Sequence, residues 1–124
     1  MNKVLLDTVI LIDHLNGVAK ATRWLNSIKD EGPVISVITR AELLAGARDD
    51  EVLALDALLS QYPCLGIDER VADLAAEFRR EHKVKLPDAF QAALAQHHRV
   101  KLATRNTKDF SPQKFGFVLI PYTL

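Results

Sequence analysis

The chain has a single cysteine, Cys64, among its 124 residues, so no internal disulfide can form. A protein of this size without one suits a reducing compartment, and the cytoplasm is the default expectation. Set in the apolar stretch PCLGI, Cys64 is expected to be a buried, inert thiol. No apolar run nears the roughly 18 residues that a membrane span requires. The opening MNKVLLDTVILIDHL breaks its apolar run with two aspartates, unlike a signal peptide. The glycines at 17, 32, 46, 66 and 116 stand singly, which excludes a phosphate-cradling glycine loop, and there is no G-x-S-x-G nucleophile elbow. Asp7-Thr8-Val9 lacks the second aspartate of an aspartyl-phosphate phosphatase. Five phenylalanines, two tyrosines and one tryptophan are few for a protein that grips single strands by stacking, and Trp24 reads as packing. The histidines make no zinc site: His14 and His82 are isolated, and adjacent His97 and His98 point in different directions on a helix.

What is present fits one domain spanning residues 1–124, long enough to bury a core without staples. The net charge is zero, yet residues 1–69 hold 6 Lys+Arg against 11 Asp+Glu, and residues 70–124 hold 10 against 5. An acidic centre with a basic flank suits a polyanionic substrate, although solvated helix faces of differing sign give the same numbers.

Apolar runs too short for helices, at 4–6, 34–35, 64–67, 102–103 and 118–120, read as buried strands. Between them lie helical stripes: Val18, Ala21, Leu25 and Ile28; Leu55, Leu58, Leu59 and Tyr62; Val71, Leu74, Ala75 and Phe78. A further helix is expected to open at Pro87 and Asp88 and to bury Phe90, Ala93, Leu94 and His97. Strands alternating with helices predict an α/β fold with a central parallel sheet of about five short strands, flanked by helices.

Four acids, Asp7, Glu42, Asp88 and Asp109, lie beside these apolar segments. A carboxylate placed there is costly unless it is partnered. In a parallel sheet ligands bind at the carboxyl ends of strands. Asp7 ends the first strand, Asp88 opens a late helix, and Asp109 follows the strand in KLAT. Four converging carboxylates need a hard cation, and an oxygen-rich set suits magnesium or manganese. Each acid also has an ordinary reading. Asp7 can cap a helix, Thr39-Arg40-Ala41-Glu42 matches a capping box, Asp88 can serve the helix dipole, and Asp109 can belong to a turn. The metal reading rests on their joint placement.

The blocks VLLDTVILIDHLNG, ISVITRAELLAGA, LPDAFQAALAQHH and LATRNTKDF, in this order across nearly the whole chain, resemble those of PIN domains, and specifically of the VapC-type toxins of bacterial toxin-antitoxin pairs. The resemblance implies a metal-dependent endoribonuclease acting on structured RNA such as transfer or ribosomal RNA, usually dimeric, and held inactive by a cognate antitoxin. The family's acidic set falls on Asp7, Glu42 and Asp88. Asp109 is taken as the fourth acid, with Asn106, Thr8 and Thr104 in support.

Arg99, Lys101, Arg105 and Lys108 are expected to flank the site and contact RNA, with Arg79, Arg80, Lys83 and Lys85 as a second basic group. An amphipathic antitoxin segment is expected in a groove walled by Trp24, Leu25, Leu55 and Leu59. The interval from Glu42 to Asp88 looks trimmed relative to many family members, over the region 49–62. That bears on antitoxin grip and substrate range more than on the chemistry. The rival readings are a catalytically inactive PIN-like module that binds RNA or protein, and a nuclease acting on DNA.

Overall fold

The computed structural model describes residues 3–124. Its strands are β1 (Val4–Leu6), β2 (Ile35–Ser36), β3 (Cys64–Leu65), β4 (Lys101–Ala103) and β5 (Val118–Leu119). Its helices are α1 (Thr8–Leu15), α2 (Ala19–Ile28), α3 (Val37–Ala45), α4 (Val52–Leu59), α5 (Glu69–His82) and α6 (Leu86–His98). Every strand pairing is parallel: β1 with β4, β4 with β5, and β2 with β3. A bridge between Leu5 and Val34 joins the three-stranded and two-stranded parts. It is closed by Leu6 N–H to Val34 O and Val34 N–H to Val4 O, each 2.9 Å. The spatial order is therefore β3-β2-β1-β4-β5, the five-stranded parallel arrangement that the apolar runs predict.

This order places β1 at the centre. The chain winds outward from β1 through β2 to β3, then returns to add β4 and β5 on the other side. The crevice between the carboxyl ends of β1 and β4 is thus the switch point, where a doubly wound sheet opens to a ligand. Asp7 follows β1 immediately, and its N–H donates to Ala103 O at 2.9 Å.

Alternation along β1 splits the core into two layers. Val4 and Leu6 pack with Ile10, Leu11, Leu25, Ile35 and Leu59 on the α1–α4 side. Leu5 packs with Val71, Phe78, Leu94, Phe110 and Phe115 on the α5–α6 side. Helix α6 is buried over most of its circumference through Ala89, Gln91, Ala92, Ala93, Leu94 and Ala95, because its alanines let the backbone lie close to the sheet. That burial is wider than the Phe90-to-His97 stripe expected, and Phe90 and His97 themselves are only half-buried.

Side chains cap α1, α3 and α5. Ser36 Oγ accepts from Thr39 N–H at 3.1 Å and opens α3, while Asp68 opens α5 by accepting from Val71 N–H at 3.0 Å. The capping-box reading of Glu42 is thereby overturned, since Thr39 lies inside the first turn and Ser36 is the cap. The buried-thiol expectation also fails. Cys64 is exposed, because β3 is an edge strand with no neighbour on its outer side. Among the described residues no helix is long and apolar enough to cross a membrane.

Candidate active site

Asp7 is 7% exposed and caps α1 as well as facing the crevice. One of its oxygens, Oδ1, accepts from Thr8 N–H at 2.9 Å and from Gln91 Nε2 at 3.3 Å. The other, Oδ2, accepts from the Thr104 hydroxyl at 2.7 Å. Burial pushes the Asp7 carboxyl above its ordinary pKa, the three donors pull it back, and repulsion from Glu42 adds to the rise. The helix cap and the site residue are one side chain.

On α3, Thr39 and Glu42 are three residues apart and so share a face. Glu42 Oε1 accepts from the Thr8 hydroxyl at 2.8 Å, and the Thr8 and Thr39 hydroxyls lie 2.9 Å apart. Thr39 is fully buried, whereas Glu42 is exposed. Across the crevice, Asp88 stands half-buried in the first turn of α6. Its pKa is raised to about 6, chiefly by burial and then by repulsion from Asp7, Asp109 and Glu42, with Lys85 opposing. All four acids therefore share one electrostatic centre, with Asp88 feeling the other three.

Asp109 and Asn106 brace each other in the loop after β4. Asn106 Nδ2 donates to Asp109 Oδ2 at 3.1 Å, and Asp109 N–H donates to Asn106 Oδ1 at 3.2 Å. Thr104 Oγ1 accepts from Asn106 N–H at 3.0 Å, tying this loop to the residue that holds Asp7. Among the described residues no three acidic, histidine or cysteine side chains stand close enough together to grip an ion directly. Asp7 in particular commits both oxygens to protein donors. Sequence reasoning missed Gln91 and took Thr39 only for a helix cap. The signal for Gln91 was a lone amide three residues after Asp88 in an alanine-rich helix, and for Thr39 the i, i+3 spacing to Glu42.

The expected basic flank divides. Lys101 pairs with Val4 at the start of the strands and donates to Gly116 O at 2.6 Å. With Lys3, Gln96 and Arg99 it lines a depression of about 320 Å³ at the amino edge of the sheet, opposite Asp7, so Arg99 and Lys101 do not flank the acids. Arg105 is engaged with Asp13, donating from Nε at 2.7 Å and from Nη2 at 2.9 Å. Lys108 is exposed beside Asp109. Of the second group, Arg79 donates to Val84 O at 2.7 Å, while exposed Arg80, Lys83 and Lys85 lead from α5 into α6 and towards Asp88.

A groove of about 620 Å³ runs between α1, α3 and α4, lined by Ile12, Leu15, Leu43, Ala47, Leu55 and Leu58, with Glu42, Asp50 and Glu51 among its polar residues. Of the four walls expected from sequence, only Leu55 lines it. Leu25 and Leu59 are 7% and 1% exposed in the core, and Trp24 packs half-buried against that core.

A parallel α/β sheet with acids gathered at its switch point defines the class, and the chain belongs to the PIN domain family, whose model matches residues 4–114. Within that family it is 36% identical to Ribonuclease VapC10 of Mycobacterium tuberculosis over 86% of this chain and 85% of that protein. It is 34% identical to Ribonuclease VapC19 of the same species, over 86% and 90%. Among solved structures, a toxin-antitoxin complex from Klebsiella pneumoniae holds a similar chain: 36% identity, TM-score 0.88, 98% of this chain and 99% of that one.

Proposed function

We propose that this chain is a metal-dependent endoribonuclease toxin that cuts structured RNA and is restrained by a cognate antitoxin. The observation that carries the reading is the approach of four carboxylates to the switch point, where Asp88, raised to about 6 chiefly by burial, is also repelled by Asp7, Asp109 and Glu42. The relatives named as ribonucleases and the neighbour seen in a toxin-antitoxin complex support it.

The donor set is all oxygen and mutually repulsive, which fits magnesium or manganese held partly through water. Asp7, Glu42, Asp88 and Asp109 would hold it, and when bound such a cation lowers the pKa of water and offsets charge on a phosphodiester. The protein's own part is placement. Thr104, Thr8 N–H and Gln91 fix Asp7, Asn106 fixes Asp109, and Thr8 fixes one oxygen of Glu42. Glu42 keeps its second oxygen free of protein donors at the exposed mouth, so it is the side chain best placed to accept a proton from an attacking water. The test is cleavage of total bacterial RNA, and of matched RNA and DNA strands, with magnesium or manganese and then with chelator. Discrete RNA cuts lost on chelation support the reading; cuts that survive chelation, or cutting of DNA alone, overturn it.

RNA phosphates would meet Lys85 and Lys108, the cations beside Asp88 and Asp109. Reversing both charges is expected to weaken RNA binding and to flatten the log-log salt dependence by about 1.5. The same reversal at Arg99 and Lys101 should leave the salt slope unchanged, as filter binding at several salt concentrations would show.

The antitoxin would lay an amphipathic segment along the α1–α3–α4 groove, with a basic side chain near Glu42. Ile12 and Leu15, 41% and 49% exposed, offer the apolar contact. Aspartate at both positions is expected to weaken antitoxin binding by about a hundredfold while leaving RNA cleavage near its original rate. Undiminished capture of the co-expressed antitoxin would remove the groove from consideration.

A further inference from the structure

Gln91 is 1% exposed, yet its Oε1 is buried without a hydrogen-bond partner among the described residues. An orphaned buried carbonyl is a standing cost, and a leucine or methionine in this alanine-rich helix would avoid it. What the amide gains is on its other side. Nε2 donates to Asp7 Oδ1 at 3.3 Å and to Thr39 Oγ1 at 2.8 Å. Turning the amide over would set two oxygens against each other at Asp7, so the nitrogen belongs where it is.

Direction then propagates. A hydroxyl has one proton, and Thr39, accepting from Gln91, gives its own to Thr8 Oγ1 at 2.9 Å. Thr8 in turn gives its proton to Glu42 Oε1 at 2.8 Å. The result is a one-way chain, Gln91 to Thr39 to Thr8 to Glu42, whose first member also holds Asp7. Three of its links, Thr8, Thr39 and Gln91, are buried.

We propose that Gln91 is a positioning residue that couples Glu42 to Asp7 through the Thr39 and Thr8 hydroxyls, fixing the geometry of both acids from the floor of the site. It acts through other side chains and need not touch RNA. The proposal rests on the ribonuclease reading for its kinetic consequences, but the hydrogen-bond chain can be read without activity.

The experiment uses the full chain with bulk transfer RNA and manganese as probe. Gln91→Met removes the amide at similar length, and Thr39→Val removes the hydroxyl at constant shape. Each is expected to lower kcat about tenfold with KM and the melting temperature little changed. The double variant should fall no more than about twofold below the weaker single, because one broken link already interrupts the chain. Thr39→Ser, which keeps the hydroxyl, should restore most of the rate. Losses that multiply in the double variant, or wild-type kcat in Gln91→Met, would overturn the proposal, and Thr39→Val decides the matter should Gln91→Met fold poorly.

Side-chain amide NMR supplies the independent readout. Thr8→Val should shift the Gln91 amide protons, although Thr8 makes no hydrogen bond to Gln91, and should no longer do so once Thr39 is valine. If the unaltered protein cuts no RNA, the ribonuclease reading falls, and this shift, present or absent, still supports or overturns the hydrogen-bond chain.

Discussion

Asp88→Asn is expected to lower RNA cleavage by at least a hundredfold while leaving the metal-free protein as stable as the unaltered chain, or more so. The two effects have one cause. Asp88 sits half-buried near Asp7, Asp109 and Glu42, and burial, with their repulsion added, raises its pKa to about 6. Among the described residues no protein donor is bound to its carboxyl, so an amide replaces it without breaking a hydrogen bond. Asp7→Asn is a less clean change, because an amide nitrogen would face one of the donors now serving that carboxylate.

The sign of the pH dependence follows from the same rise. Asp88 is protonated more readily in the folded chain than in the unfolded one, whose aspartates titrate near 3.8. Its contribution to stability is therefore fully present below about pH 4 and is lost as pH rises through about 6. Asp7, also raised, acts in the same direction. Chemical denaturation in chelator should find the unaltered protein more stable at pH 5 than at pH 7.5, and the difference smaller in Asp88→Asn. Full cleavage by Asp88→Asn would remove that residue from the site, and an unchanged pH difference would remove it from the repulsive centre.

Arg105→Ala is expected to cost about 2–4 kcal/mol of folding stability, an effect read by thermal or denaturant unfolding. Asp13, on α1, is 5% exposed and is held by the two Arg105 bonds and by the Tyr122 hydroxyl at 2.8 Å. Hydrogen bonds from Arg105 hold the Asp13 carboxyl below its usual range. Without the guanidinium a buried carboxylate keeps only a phenol, and the cost lies at the lower end of the range for broken buried pairs because Arg105 itself is 30% exposed. Cleavage should fall as well, since Arg105 anchors the loop that carries Asn106 and Asp109. Were Arg105 chiefly an RNA contact, the variant would bind RNA weakly yet melt as the unaltered protein does. Asp13→Asn, which keeps two possible acceptor contacts, should be milder.

These comparisons show which residues a sequence exposes and which it hides. The convergence of the four acids was legible in part: Asp7 ends β1 and Asp88 opens α6, so element order carries both to one sheet edge, whereas Glu42 reaches it from inside α3 and Asp109 from the loop after β4. The pairing of Arg105 with Asp13 was not legible, because a count of nearby charges cannot see a partner 92 residues away in the chain. Gln91 was missed because a single polar residue in a helix is ordinarily solvated, and only the close packing of α6 turns it inward, while Thr39 was mistaken for the cap that Ser36 supplies. Leu25 and Leu59 were assigned to a groove because an amphipathic stripe shows that a face is covered without showing by what. Cys64 had apolar neighbours in sequence but an open edge in space.

The central strand β1 is made well before β4, the partner that completes its carboxyl end. Until Lys101–Ala103 has docked beside Val4–Leu6, Asp7 has neither the Ala103 carbonyl for its N–H nor the Thr104 hydroxyl for its carboxylate. Closing so long a loop is slow compared with forming local helices. A nascent chain stalled short of β4 is thus expected to show helix by circular dichroism but no cleavage, so synthesis must pass Thr104 before the acidic centre can be assembled.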